Sequence, residues 1–221
     1  MFEPWIGSEY ARHENIIGGA RLIVLGEAHY QEEAEGDARP SLTQDVVEAY
    51  IHGRLKSNAR FFRNVERLVT QRFERGLTES ESANFWQSVI FTNYIPVIAA
   101  RKPGQRPADH LWNGPAPQRF FELVKRREAE VILVCGRELW RRKLSHNAIR
   151  AAYRVKGRAF EAHEINWSLE YGAVATHILH PSGSRGWTYE ENIPAVEYLF
   201  KEMNSRRAIK GIEPAPSWAL P

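Results

Sequence analysis

Two short motifs far apart in the chain carry residue types suited to chemistry, and each follows an apolar run. Gly26-Glu27-Ala28-His29-Tyr30 comes after Leu22 to Leu25, and His180-Pro181-Ser182 lies close behind Ala173 to Leu179. In open α/β sheets, ligands bind beyond the carboxyl ends of the strands, so two such motifs suggest one site built from both. A glycine directly after a strand allows a sharp turn, which lets Glu27 project over the sheet edge. His29 and Tyr30 follow within one turn; a plain strand-end turn with a solvated Glu and two packing rings fits the same residues. His180 can donate a hydrogen bond to an oxygen that gains charge in a transition state. Pro181 fixes the backbone after it, and Ser182 can contact a phosphate. The alternative is a His and a Ser that simply close a turn.

A third strand ends in Phe91-Thr92-Asn93-Tyr94. The Asn93 amide donates and accepts together, which suits the edge of a nucleobase, and suits a turn's own backbone groups equally. Beside it runs a basic loop rich in turn formers, Arg101-Lys102-Pro103-Gly104-Gln105-Arg106-Pro107. This is the basic set placed to meet a phosphate backbone. Lys125-Arg126-Arg127, Arg141-Arg142-Lys143 and Arg154 to Arg158 read as solvated faces. His177 and His180 are three apart, which puts strand residues on opposite sides, and no third ligand is obvious. No metal site is expected.

The elements that position these residues alternate between strand and helix, which predicts an α/β fold with a mainly parallel sheet. Strands are expected at Arg21 to Leu25, Ser88 to Tyr94, Ala129 to Gly136, Phe160 to Ile165 and Val174 to Leu179. Helix-spaced apolar residues mark Leu42 to Leu55 (Val46, Val47, Tyr50, Ile51) and Phe61 to Phe73 (Phe62, Val65, Leu68, Val69). Ser41 is the expected N-cap of the first. Further helices are expected at Glu79 to Gln87, Pro117 to Arg127, Arg137 to Leu144 and Asn192 to Met203.

Composition bounds the rest. A chain of 221 residues, 43% hydrophobic and 26% charged, can bury the core of one globular domain spanning residues 1–221. Its tail is expected to be irregular from about residue 212. No apolar run approaches the roughly 18 residues that span a bilayer, and the first residues lack a secretory pattern. The expectation is a cytoplasmic protein with no membrane partner. Cys135 is the one cysteine. It allows no intramolecular disulfide and no cysteine-ligated iron–sulfur cluster, and within Val131 to Gly136 it reads as a small buried hydrophobe. A net charge of +3 permits a polyanionic partner without demanding one.

Together these residues resemble the uracil-DNA glycosylase superfamily. Thr92-Asn93 through Arg101-Lys102-Pro103-Gly104-Gln105-Arg106-Pro107 is similar to the Thr-Asn and Arg-Pro-Pro-Gly-Asn-Arg segment of its thermophile-type branch. Val131 to Gly136 resembles the family's central strand ending in Gly, and His180-Pro181-Ser182 its second active-site motif. With Gly26-Glu27, the landmarks keep the family's order over residues 21 to 185. Gly26-Glu27-Ala28 is similar to the Gly-Glu-Ala-Pro-Gly motif, in which the carboxylate is catalytic. Tyr30 falls where the Gly-Gln-Asp-Pro-Tyr-His branch carries a Tyr that excludes thymine's methyl group. His29 replaces the proline of both. Gly26 to Tyr30, Phe85-Trp86 and Asn93-Tyr94 also resemble a divergent branch with a Gly-Glu-Ser-His-Tyr motif.

The resemblance implies a three-layer α/β/α sandwich with a central, mainly parallel, four-stranded sheet. It implies DNA, single- or double-stranded, or a nucleotide as partner, and a modified base such as uracil turned out into a pocket. Asn93 would pair with the base edge, and Gly26 and Tyr30 would shape the pocket. Glu27 would stabilise the sugar cation or position water, and His180 would donate to the leaving base. His29, a departure from the proline of both branches, would supply a different acid–base or nucleophilic function or reshape the pocket. Ser182, Arg101 and Arg106 would hold phosphates, with no metal, organic cofactor or iron–sulfur cluster. Gly183-Ser184-Arg185-Gly186-Trp187 departs from the family's apolar wedge; Arg185 either takes its place or is a surface arginine. Two other functions remain open: a non-catalytic nucleic-acid or nucleobase-binding module, and a hydrolase or transferase of free nucleosides or nucleotides.

Overall fold

The computed structural model describes residues 1–30, 36–37, 39–55, 59–100, 107–143, 148–155, 158–168, 171–183 and 186–215. Strands are β1 (Trp5–Ile6), β2 (Leu22–Gly26), β3 (His29–Tyr30), β4 (Ile90–Asn93), β5 (Ile98–Ala100), β6 (Val131–Cys135), β7 (Ala148–Val155), β8 (Arg158–Asn166) and β9 (Gly172–Ile178). Helices are α1 (Leu42–Ile51), α2 (Ala59–Thr70), α3 (Glu79–Gln87), α4 (Asp109–Asn113), α5 (Ala116–Arg126), α6 (Arg137–Lys143) and α7 (Tyr189–Ile209).

The main sheet runs in the order β1-β4-β2-β6-β9-β8-β7. Its middle strands β4, β2, β6 and β9 are mutually parallel. β1 joins one edge antiparallel, and β8 and β7 extend the other antiparallel. The fold is mixed α/β, but the described sheet has seven strands rather than the four expected. The surplus strands escape an apolar-run criterion for physical reasons. β1 has two residues, and β7 reads Ala-Ile-Arg-Ala-Ala-Tyr-Arg-Val, a partly polar pattern suited to an edge.

β2 and β6 are buried along their whole length, as strands covered on both faces must be. Alternation divides their side chains. Leu22, Val24, Val131 and Leu133 join a core with Val65, Leu68, Trp86 and Leu199, from α2, α3 and α7. Ile23, Leu25, Ile132 and Val134 join a second core with Trp112, Phe120, Val124 and Trp140, from α4, α5 and α6. Helices therefore cover both faces. Cys135 is fully buried, and burial pushes its thiol far above its ordinary range.

Helix ends show where local chemistry acts. Thr78 and Glu81 form a reciprocal capping box at the start of α3. Ser41 precedes α1, but its hydroxyl donates to Asp45 at 3.1 Å and caps no backbone N–H. Thr188 accepts from the Glu191 N–H at the start of α7. Near the other end of α7, buried Arg207 makes a bidentate pair with Glu130 at 2.6 and 2.7 Å. It also donates to the Gly18 and Gly19 carbonyls. Inside the first core, Glu66 accepts from Tyr50 Oη, Ser82 Oγ and Trp86 Nε1 at 2.9, 2.7 and 3.0 Å, tying α1, α2 and α3 together. Among the described residues, no helix is long and apolar enough to cross a membrane.

Candidate functional site at the carboxyl edge of the parallel strands

Gly26 closes β2 and pairs in register with Asn93, which closes β4. The buried Asn93 amide lies over the glycine so closely that a Cβ there would stand 2.2 Å from Asn93 Oδ1. The two chains stay together beyond the sheet: Tyr94 N–H donates to the Gly26 carbonyl, and Ile95 N–H to the Glu27 carbonyl, at 2.9 and 3.0 Å. Glu27, half-buried, is thereby fixed beside Asn93 at the sheet edge.

Tyr30 donates its hydroxyl to Glu27 Oε1 at 2.8 Å. Burial, and then the adjacent carboxylate, push the phenol well above its usual range, so it stays a donor. The pairing of β3 with β5 holds this segment in place. His29, its neighbour, is turned elsewhere. Its Nε2 lies 3.0 Å from Thr43 Oγ1 on α1, and its ring meets Phe2 edge-on at 5.0 Å. Burial lowers its pKa to about 4, which leaves a neutral ring engaged in packing.

His180 follows β9 and so stands beyond the strand that carries His177. Its Nδ1 accepts from the Ser182 N–H at 3.3 Å. That bond assigns the ring proton to Nε2, and burial lowers the imidazole's pKa, favouring a neutral donor. The ring packs at 5.7 Å from Phe61, and its Cδ2 lies 3.8 Å from where a Gly136 Cβ would stand. Gly136 follows β6 with φ +139°, a conformation that side chains resist. Phe61 also meets Phe91 at 5.6 Å, and Phe91 Cε2 lies 3.5 Å from the Gly26 Cβ position. An aromatic floor thus runs from Gly26 to His180.

The loop bearing His180 is held from beneath. Asn64 Nδ2 donates to the Pro181 carbonyl at 2.6 Å, and Asn64 Oδ1 accepts from Tyr189 Oη at 3.1 Å. Asn192 Oδ1 accepts from the Leu179 N–H, and Trp187 Nε1 donates to the Leu179 carbonyl. Asn64 escapes a reading of the sequence, because an amide between Phe61 and Leu68 looks like an imperfection in an apolar stripe. A polar residue at a core-facing position is the signal that could have found it.

Gly26, Glu27, Tyr30 and Asn93 form one cluster, and His180 shares its edge across the strand order β4-β2-β6-β9. Ser182 is exposed at that edge, while His29 points toward α1. Arg101, Arg106 and Arg185 lie outside the described residues. Chemically, the edge offers a carboxylate, an amide that donates and accepts, and an imidazole N–H. Among the described residues, no group of His, Cys, Asp and Glu is placed to hold a metal ion. No family model matches this chain, and no curated protein matches it.

Proposed function

We propose that this protein hydrolyses the N-glycosidic bond of uracil or another modified base in DNA, as a divergent relative of the uracil-DNA glycosylases. The four parallel strands β4-β2-β6-β9 would correspond to that family's central sheet, and the base would be flipped to their carboxyl edge. The observation that supports the reading is the cluster of Gly26, Glu27, Tyr30 and Asn93 at the carboxyl edge of β2 and β4, with the His180 ring joined to the same edge through Phe61 and Phe91. A neutral imidazole donor suits a leaving base that gains negative charge. Asn93, held against Gly26, would pair with the base edge, and Glu27 would stabilise the sugar cation or orient water. Ser182 would meet a phosphate. Arg101 and Arg106 would do the same, and Arg185 would stand in for the family's wedge.

A second reading, a non-catalytic nucleobase-binding module, is favoured by the Tyr30 hydroxyl that already occupies one oxygen of Glu27. Base release from labelled oligonucleotides carrying uracil, hypoxanthine, xanthine or hydroxymethyluracil separates the two. The hydrolase yields alkali-cleavable sites that disappear in Glu27→Gln and His180→Ala. Folded protein that binds the strands and releases no base supports the module. Full release by both variants removes the assigned roles.

A further inference from the structure

On the far side of Leu179, a cavity of about 460 Å3 opens between α6, β8, β9 and the start of α7. Its lining brings together Arg137, Trp140 and Arg141 of α6, Glu161 of β8, His177 of β9 and Glu191 of α7. The arginines are one turn apart on a single helix face, and both are exposed. Neither forms an ion pair among the described residues. The wall between them is fixed. Trp140 Nε1 donates to Glu161 Oε2 at 3.2 Å, and the rings of His163 and His177 stack on the indole at 4.1 and 4.9 Å.

We infer that this cavity binds a phosphate ester that also carries hydrogen-bond donors. Arg137 and Arg141 grasp the phosphate, and Glu161 and Glu191 accept from the ligand's hydroxyl or amino groups. Two guanidiniums on adjacent turns can engage several phosphate oxygens together, whereas a lone carboxylate satisfies one fork. The volume lies in the range of small-molecule sites and suits a ligand the size of a mononucleotide. The His177 environment agrees: its pKa is lowered to about 4 by burial and by the charges of Arg137 and Arg141, with Glu161 opposing. The inference needs neither Glu27 nor a flipped base. The ester can be a free sugar or nucleoside phosphate, or the backbone of a strand that also reaches the neighbouring edge.

The test is calorimetric titration with ribose 5-phosphate, 2′-deoxyuridine 5′-monophosphate, unphosphorylated ribose and a short single-stranded oligonucleotide, with the His177 ring followed by NMR. The phosphorylated probes are expected to bind and to move the His177 resonance, while ribose does neither. Arg137→Gln and Arg141→Gln should each weaken binding at least tenfold. Binding of the oligonucleotide but of neither free ester, with the same arginine dependence, identifies the strand as source. Binding that ignores both arginine substitutions, no binding by any probe, or a silent His177 overturns the site. Base release is read separately, so either proposal can fail without the other.

Discussion

Asn93 and Gly26 occupy one volume: the amide of the first fills the space where the second would carry a Cβ. Gly26→Ala should displace Asn93 and cost about 1–2 kcal/mol, in the range of a crowded buried site. Nucleobase binding should fall at least tenfold. Because the two residues share that contact, Gly26→Ala and Asn93→Ala should be non-additive in a double-mutant cycle read by urea denaturation. Additive losses would separate them.

The Tyr30 hydroxyl and Glu27 make a charge-assisted hydrogen bond. Tyr30→Phe keeps the ring and removes the donor, so folding stability should fall by no more than about 1–2 kcal/mol. Base release should drop by about tenfold, with kcat affected more than KM. An unchanged kcat would show that Glu27 needs no such partner.

Three histidines, His29, His177 and His180, make the fold acid-sensitive, because burial lowers the pKa of each. The unfolded chain takes up protons near 6.5, whereas folded His29 and His177 do so only near 4. Between those values the unfolded state binds more protons, so stability falls as pH drops through that window and is flat above it. His29→Gln should reduce the slope of the urea midpoint between pH 7 and pH 5. Circular dichroism at a series of pH values measures it, and an unaltered slope would exclude His29 as a source.

Glu66 is a buried acceptor for three side-chain donors from α1 and α3. Glu66→Ala leaves all of them without an acceptor and should cost about 2–4 kcal/mol. Glu66→Gln preserves one accepting oxygen and should cost less. Thermal unfolding of both variants checks the order.

The parallel heart of the sheet is legible in the sequence because strands buried on both faces read as unbroken apolar runs, as in Leu22–Gly26 and Val131–Cys135. Glu79–Gln87 matches the helix expected there, and the structure adds the Thr78–Glu81 box at its start. β7 is not legible, since an edge strand with one neighbour needs no unbroken apolar run, and its sequence carries none. At the site, Gly26, Glu27 and Asn93 announce themselves as polar or flexible residues at strand ends. The direction of His29 does not, because Thr43 and Phe2, which capture its ring, are remote in sequence. The hold of Asn64 on Pro181 is hidden for the same reason: 117 residues separate them.

Arg207 gives the closing helix a consequence at its opposite end. By gripping Glu130, Gly18 and Gly19, it moors α7 to the entry side of the sheet, while Tyr189 and Asn192 touch the supports of His180 on the exit side. The helix acts as a tie rod some 30 Å long. One helix thus carries the Arg207 mooring at one end and, at the other, two residues that brace the loop bearing His180.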